Sequence, residues 1–437
     1  MTLVRQPSVA ATGEGLEECA ELLVDIMKEN GIQARVLPVK GGPPAVYGEI
    51  RAKSSGAPTI LFYNHYDVQP PDPLDEWKYP PFDPHIVDGK IYGRGTSDNK
   101  GNIISRIHAV WAFLSAIGEV PVNVKFFVEG EEEIGSPHLA PFVEEHKELL
   151  KADCGIWEFG GVDHEGRPNI WLGLKGILYV ELRVRETAVD THSSMAPIVP
   201  NAAWRLVWAL NSLKSEDGRV LVEGFYDDVV KPTRMELELI ERIPYPEEEV
   251  KKDLGLESFL KDLTGAELVK TLLLEPTCTI CGLNSGYTGE GSKTVLPSTA
   301  MAKIDFRLVP NQRPKDILKK LREHLDKRGF NDVEIVVHGF LEPAKTPVEE
   351  DFVQLVIRAA EEVYQKEAVV YPTSAGSGPL YLFRNVLGIP MVSVGVGYPL
   401  SRAHAPNEHI RIKDYLLGTK LIARIISDLG ARERIRA

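Results

Sequence analysis

The 437-residue chain has no run approaching the roughly 20 apolar residues that a membrane-spanning helix needs, so no membrane partner is expected. Its first residues, MTLVRQPSVAATGEGLEE, lack a basic stretch followed by an apolar one, so no secretory leader is expected either. Cysteine is scarce. Four in a chain of this length are no disulfide framework, which favours a reducing cytoplasm. Positive charge is in deficit, 50 Lys and Arg against 63 Asp and Glu, for a net charge of −13. Such a surface repels phosphate backbones, which argues against nucleic acid as a partner. Internal repeats and low-complexity segments are absent. What remains is the composition of a soluble globular protein, 43% hydrophobic and 26% charged, long enough for two domains.

The order of elements predicts an α/β architecture. Leu16, Ala20, Leu23, Val24 and Met27 recur at helical spacing, and Gly31 ends the run. Strands follow at Ala45–Arg51 and Pro58–Tyr63; the second contains the continuous apolar run TILFY, expected of a strand buried on both faces. A helix at Gly101–Ile117 and a buried strand at Val122–Val128 complete a strand–helix–strand series. Near Gly173 the pattern changes. Gly176–Arg185, Ala300–Val309 and Val333–Gly339 alternate apolar and polar residues as open-faced antiparallel strands do, with helices at Ala202–Leu213 and Pro314–Lys327 and a charged, helix-rich insertion over 220–275. A helix at Phe352–Gln365 and a buried strand at Pro390–Gly395 return to the first pattern. The expectation is one discontinuous domain, 1–176 and 345–437, interrupted by an α+β domain at 177–344.

Residues able to hold metal stand where strands end, which is where ligands bind in α/β sheets. His65 follows TILFY, and Asp67 stands two residues on, able to accept the other ring N–H and fix the tautomer. Asp98 lies among glycines in GRGTSDNKG, where it reads equally as a ligand or as the N-cap of the next helix. Glu131, Glu132 and Glu133 follow NVKFFV; packed carboxylates repel one another and call for a cation if they face inward. Paired carboxylates also allow one to bind metal while its neighbour moves protons. Glu158 and His404 extend the set, with Asp163 and His409 as weaker alternatives.

The segments NHYDVQP, GRGTSDNKG, EGEEEIGS, DTHSS, SKTVLP, FRLVPN and AHAPNE, in this order, resemble the M20 family of co-catalytic zinc peptidases, in its carnosinase-like dipeptidase branch, over nearly the whole chain. The resemblance implies a zinc-peptidase catalytic domain with an inserted lid and dimerisation domain, and two Zn2+ per subunit, with Co2+ or Mn2+ able to use the same ligands. It implies that His65 and Glu158 bind one ion and Glu133 and His404 the other, that Asp98 bridges them, and that the Asp98–Asn99 peptide is cis. Asp67 would support His65, and Glu132 would be the general base; Glu131, an extra carboxylate, leaves that assignment open by one position. His192 would donate to the oxyanion from the lid of a partner subunit, which implies at least a homodimer. Ser194 there replaces the family's usual glycine. Arg307 would grip a substrate carboxylate, a geometry suited to guanidinium, and Thr294 and Ser377 would contact substrate. The loop carrying Ser377 lacks the charged residue usual in the carnosinase version.

Two apparent motifs are set aside. Cys278 and Cys281 have zinc-knuckle spacing but no second pair. The segment GEGSKT lacks the glycine–lysine adjacency and preceding buried strand of a phosphate loop. The expected activity is hydrolysis of dipeptides or short peptides, with N-acyl-amino-acid deacylation as the alternative. A metal-free binding protein on the same fold would have lost a ligand or the base, and none is missing.

Overall fold

The run TILFY forms strand Thr59–His65, buried along nearly its whole length in the computed structural model, which describes residues 1–436. The strand lies inside a nine-stranded sheet. The main path runs Gln33–Leu37, Ala45–Ile50, Asn123–Glu129, Thr59–His65, Cys154–Trp157, Met391–Ser393, Pro168–Trp171, Val369–Tyr371, and Gly161–Val162 pairs with Pro168–Trp171. Four central neighbours, from Asn123–Glu129 to Met391–Ser393, run parallel, so their carboxyl ends share one edge. Ala45–Ile50 and Gln33–Leu37 extend the sheet antiparallel. Tyr63 stacks on Trp157 at 4.0 Å and packs on Phe383 at 4.8 Å, joining adjacent strands to the layer beyond them.

Helix Lys100–Ile117 buries Ile103, Arg106, Ile107 and Val110, one face at helical spacing, and Gly118 ends it with a left-handed backbone (φ 82°) that favours glycine. Helices Leu16–Glu29, Asp351–Tyr364 and Ile412–Arg436 belong to the same unit, which comprises residues 1–173, 345–372 and 379–437.

The second unit comprises 174–344 with 373–378, the latter a loop from within the 345–437 span. Its antiparallel sheet runs in the order Thr277–Ser285, Thr299–Leu308, Gly176–Arg185, Glu334–Leu341. Alternation along the chain becomes one covered face: Leu178, Val180, Leu182, Val184, Ile304 and Phe306 pack against Leu206, Ile317 and Leu321 of helices Ala202–Asn211 and Pro314–Lys327. The 220–275 stretch holds helices Arg234–Arg242, Glu247–Leu254 and Gly265–Leu274, the first closed by a capping box between Thr233 and Glu236. Cys278 is buried in this unit and Cys281 exposed, both as free thiols.

Candidate metal centre

Three parallel strands deliver side chains to the shared edge. Thr59–His65 ends on His65. Asn123–Glu129 leads into the short helical turn Glu132–Ile134, and Cys154–Trp157 ends one residue before Glu158. The loop 401–408, after Met391–Ser393, brings in His404. Asp98 joins them from the segment before helix Lys100–Ile117, and the Asp98–Asn99 peptide is cis. That helix begins without a side-chain cap, so Asp98 is free of the capping role that its position allowed.

Asp98 stands at the centre. Its Oδ1 lies 3.1 Å from His65 Nε2 and its Oδ2 2.9 Å from His404 Nε2. Glu158 Oε2 lies 3.2 Å from His65 Nε2, and Glu133 Oε2 3.2 Å from His404 Nε2. Ligand atoms of His65, Glu132 and Glu158 fall within 4.8 Å of one another, as do those of His65, Asp98 and Glu133. Distance alone therefore does not separate Glu132 from the ligands. Glu131 is set apart: its carboxylate meets His138 Nδ1 at 2.9 Å.

The sequence expectation for Asp67 needs refinement. His65 Nδ1 lies nearest the Asp67 carbonyl oxygen, at 3.0 Å, with the carboxylate Oδ1 at 3.3 Å. A carbonyl only accepts, so Nδ1 carries hydrogen and Nε2 faces the acids. The other Asp67 oxygen accepts the backbone N–H of Glu133 at 3.0 Å, fixing the turn that carries Glu132 and Glu133.

Burial and mutual repulsion set the electrostatics. Burial, then the Glu132 carboxylate, push Glu158 well above the usual carboxylate range. Burial and the acids Asp98 and Glu133 raise Glu132 to about 7, against an opposing pull from His65. Burial raises Glu129 to about 8, although Tyr63 and Ser136 donate hydrogen bonds to it at 2.5 and 2.8 Å. Asp98 and Glu133 raise His404 to about 10. Burial alone would lower His65, but Asp67, Asp98 and Glu158 outweigh it and raise it. Glu133 Oε1 is a buried acceptor without a hydrogen-bond donor, while Glu158 Oε2 and Asp67 Oδ1, also buried, face the His65 ring at 3.2 and 3.3 Å. Crowded carboxylate oxygens beside two imidazoles form a donor set that divalent cations fit.

Two supporting residues escaped the sequence reading. Glu408, fully buried, accepts from Arg94 at 2.8 Å and from the backbone N–H groups of Gly95, Ser97 and Asp98 at 2.9, 2.8 and 3.0 Å. It clamps the loop that presents Asp98. Arg106 donates to the carbonyls of Tyr63 and Trp157, each at 2.6 Å, and of Glu158 at 3.1 Å, binding two strand ends together. Asp163 and His409 are engaged elsewhere, Asp163 with Arg167 at 2.7 Å and His409 with Tyr398 and the Asn407 carbonyl.

The second unit holds the remaining residues in two groups. His192 Nδ1 accepts from the backbone N–H of Ser194 at 3.1 Å, and its Nε2 lies 3.2 Å from Thr294 Oγ1. Arg307 donates to Ser377 Oγ at 2.9 Å and is paired with Asp305 at 3.0 Å.

Comparison with known proteins adds four likenesses. The profile of Peptidase family M20/M25/M40 matches residues 61–428. A human Beta-Ala-His dipeptidase is 30% identical over 93% of this chain and 81% of its own. The solved structure of an M20 family metallo-carboxypeptidase from Sulfolobus solfataricus is 44% identical, covers 98% of each chain and superposes with a TM-score of 0.92. A Cys-Gly metallodipeptidase of Schizosaccharomyces pombe is 28% identical over 89% of this chain and 83% of its own.

Proposed function

The chain belongs to peptidase family M20/M25/M40 and is a metallopeptidase with a mixed α/β fold, and from that premise we propose that it hydrolyses the amide bond of dipeptides or short peptides with two divalent cations and a glutamate base. The observation that carries this is Asp98, whose two oxygens face one histidine each, with Glu158 and Glu133 flanking.

His65 and Glu158 would hold one cation, Glu133 and His404 the other, and Asp98 both; zinc suits this set, as do cobalt and manganese. Bound there, the cations would acidify water and polarise the scissile carbonyl. Glu132, whose carboxylate lies among the proposed ligands, accepts a proton from the attacking water and returns it to the leaving nitrogen. Asp67 orients His65 through its carbonyl and its carboxylate and holds the Glu132–Glu133 turn. His192 accepts at Nδ1, which places its hydrogen on Nε2 and makes that atom the donor for a developing oxyanion. Arg307, oriented by Ser377 and Asp305, would bind a substrate carboxylate, with Thr294 steadying His192. His192 and Thr294 are exposed, in keeping with a residue supplied across a homodimer by the lid unit 177–344. A cytoplasmic setting agrees with four free thiols.

The test is hydrolysis of dipeptides, tetrapeptides and N-acetyl amino acids by the zinc-loaded protein, with a chelated control. Chelator-sensitive cleavage of free dipeptides is expected. Release of single C-terminal residues from tetrapeptides would favour the second reading, a carboxypeptidase, which the Sulfolobus likeness supports. Cleavage of the acylated set alone would replace both with a deacylase.

A further inference from the structure

Beside the Asp98 carboxylate, within the first unit, lies a cavity of about 540 Å³, inside the range of small-ligand pockets. Ser97 and Asp98 bound it towards the metal centre, and Phe159, Trp171 and Tyr398 give it aromatic surface. Two charged residues enter its lining, Asp98 and Arg402. Asp98 is engaged, since both of its oxygens face histidines. Arg402 is exposed, and its guanidinium has no hydrogen-bond or ion-pair partner among the described residues.

The backbone that carries Arg402 is unusual. Its φ is 58°, in the left-handed region that side chains rarely adopt and glycine would enter more easily. The loop enforces it nonetheless. The Ser401 N–H donates to the Tyr398 carbonyl at 2.9 Å, the Ser401 carbonyl accepts from the His409 N–H at 2.9 Å, and the Arg402 carbonyl accepts from the Ala405 N–H at 3.0 Å. Tyr398 is fixed in turn. Its N–H donates to Ser401 Oγ at 2.9 Å, and its ring lies under the Arg411 guanidinium at 4.2 Å. A fixed platform thus carries a long cation whose side chain bonds nothing in the protein. Strained backbone that its surroundings over-determine collects at ligand-binding sites. A guanidinium kept clear of acids, in the lining of a cavity beside the proposed metal centre, is matched by the planar fork of a carboxylate.

We infer that Arg402 makes this cavity a subsite for an acidic side chain of the substrate, aspartate or glutamate, in addition to the carboxylate assigned to Arg307. The inference rests on the peptidase reading above. A lysine or arginine side chain there would meet a like charge, and a neutral one would leave the guanidinium unpaired.

The experiment measures kcat/KM of the zinc-loaded protein for two dipeptide series, Xaa-Gly and Gly-Xaa, with Xaa as Ala, Gln, Glu and Lys. Gln copies the shape of Glu without its charge. In one series Glu should exceed Gln by about tenfold or more, the scale of one charge-assisted hydrogen bond, and the excess should shrink as salt is raised. Arg402→Met, which keeps the apolar stem, should bring the ratio of Glu to Gln towards one, whereas Arg402→Lys should keep part of it. Equal cleavage of Glu and Gln in both series, or a ratio that Arg402→Met leaves unchanged, overturns the subsite and leaves the peptidase standing. So does an equal loss for every dipeptide in Arg402→Met that spares their C-terminal amides, which would assign Arg402 to the terminal carboxylate. If no dipeptide is cleaved, calorimetric titration with glutarate and with glutaramide, its diamide, decides the pocket alone. Tighter binding of glutarate, lost in Arg402→Met, upholds it; equal or absent binding, or binding that the variant keeps, overturns it.

Discussion

Glu132 and Glu133 are neighbours in the chain with different surroundings. Glu133 receives Gln69 Nε2 at 3.0 Å and faces His404, whereas Glu132 is held up near 7 by burial and by the acids around it. The proposed division into ligand and base predicts that Glu132→Gln retains two metals per chain by atomic spectroscopy while turnover falls by roughly 10²–10⁴. Turnover within tenfold of the parent would end the base assignment. Glu408 acts at one remove. Glu408→Gln leaves Arg94 as a buried cation without its carboxylate, a loss of about 3–5 kcal/mol. The loosened Asp98 loop should weaken metal binding by roughly 10–100-fold, read by competition with a fluorescent chelator. Unchanged affinity would show that the loop keeps its shape without the clamp.

Among the elements, helix Lys100–Ile117 carries one residue that its pattern should have exposed as unusual. Arg106 lies on the same stripe as Ile103, Ile107 and Val110, and a cation on an apolar stripe is a sequence signal that three strand-end carbonyls now account for. Arg106→Leu strips those carbonyls of their donor, at roughly 1–3 kcal/mol for each buried group left unsatisfied. We expect the denaturant midpoint to drop accordingly; a Leu variant as stable as the parent would reduce Arg106 to packing. The central strands were legible because burial on both faces writes a continuous apolar run, as in TILFY. Edge strands such as Gln33–Leu37 and Val369–Tyr371 were not, since few residues and a neighbour distant in sequence decide them. His65 and Glu158 could be picked out as strand-end residues and Asp98 as a lone carboxylate among glycines, whereas Glu408 could not. Its partners lie more than 300 residues away and only chain closure brings them together.

At the scale of the whole molecule, the proposed ligands span His65 to His404 yet all belong to the unit formed by 1–173, 345–372 and 379–437. Without metal, His404 is raised to about 10 and His65 is raised too, so both imidazoles hold protons at neutral pH. Glu158, pushed up by burial, holds one as well. A cation needs those lone pairs free, so binding must expel protons, and affinity must fall as pH falls because more protons compete. Titration calorimetry in two buffers of different ionisation enthalpy should register net proton release at pH 7; no buffer dependence would contradict the apo charge state. Metal that binds only the folded form stabilises it by about 4 kcal/mol at a thousandfold excess over Kd. Because the second unit, 174–344 with 373–378, contributes no proposed ligand, that stabilisation should be local. Hydrogen exchange after chelation should quicken in strands Thr59–His65, Asn123–Glu129 and Cys154–Trp157 and stay as it was in Thr299–Leu308. Unchanged protection of the His65 strand would remove the metal from this edge of the sheet. Equal loss in Thr299–Leu308 would mean that the two units open as one, and that metal bound in the first governs the stability of both.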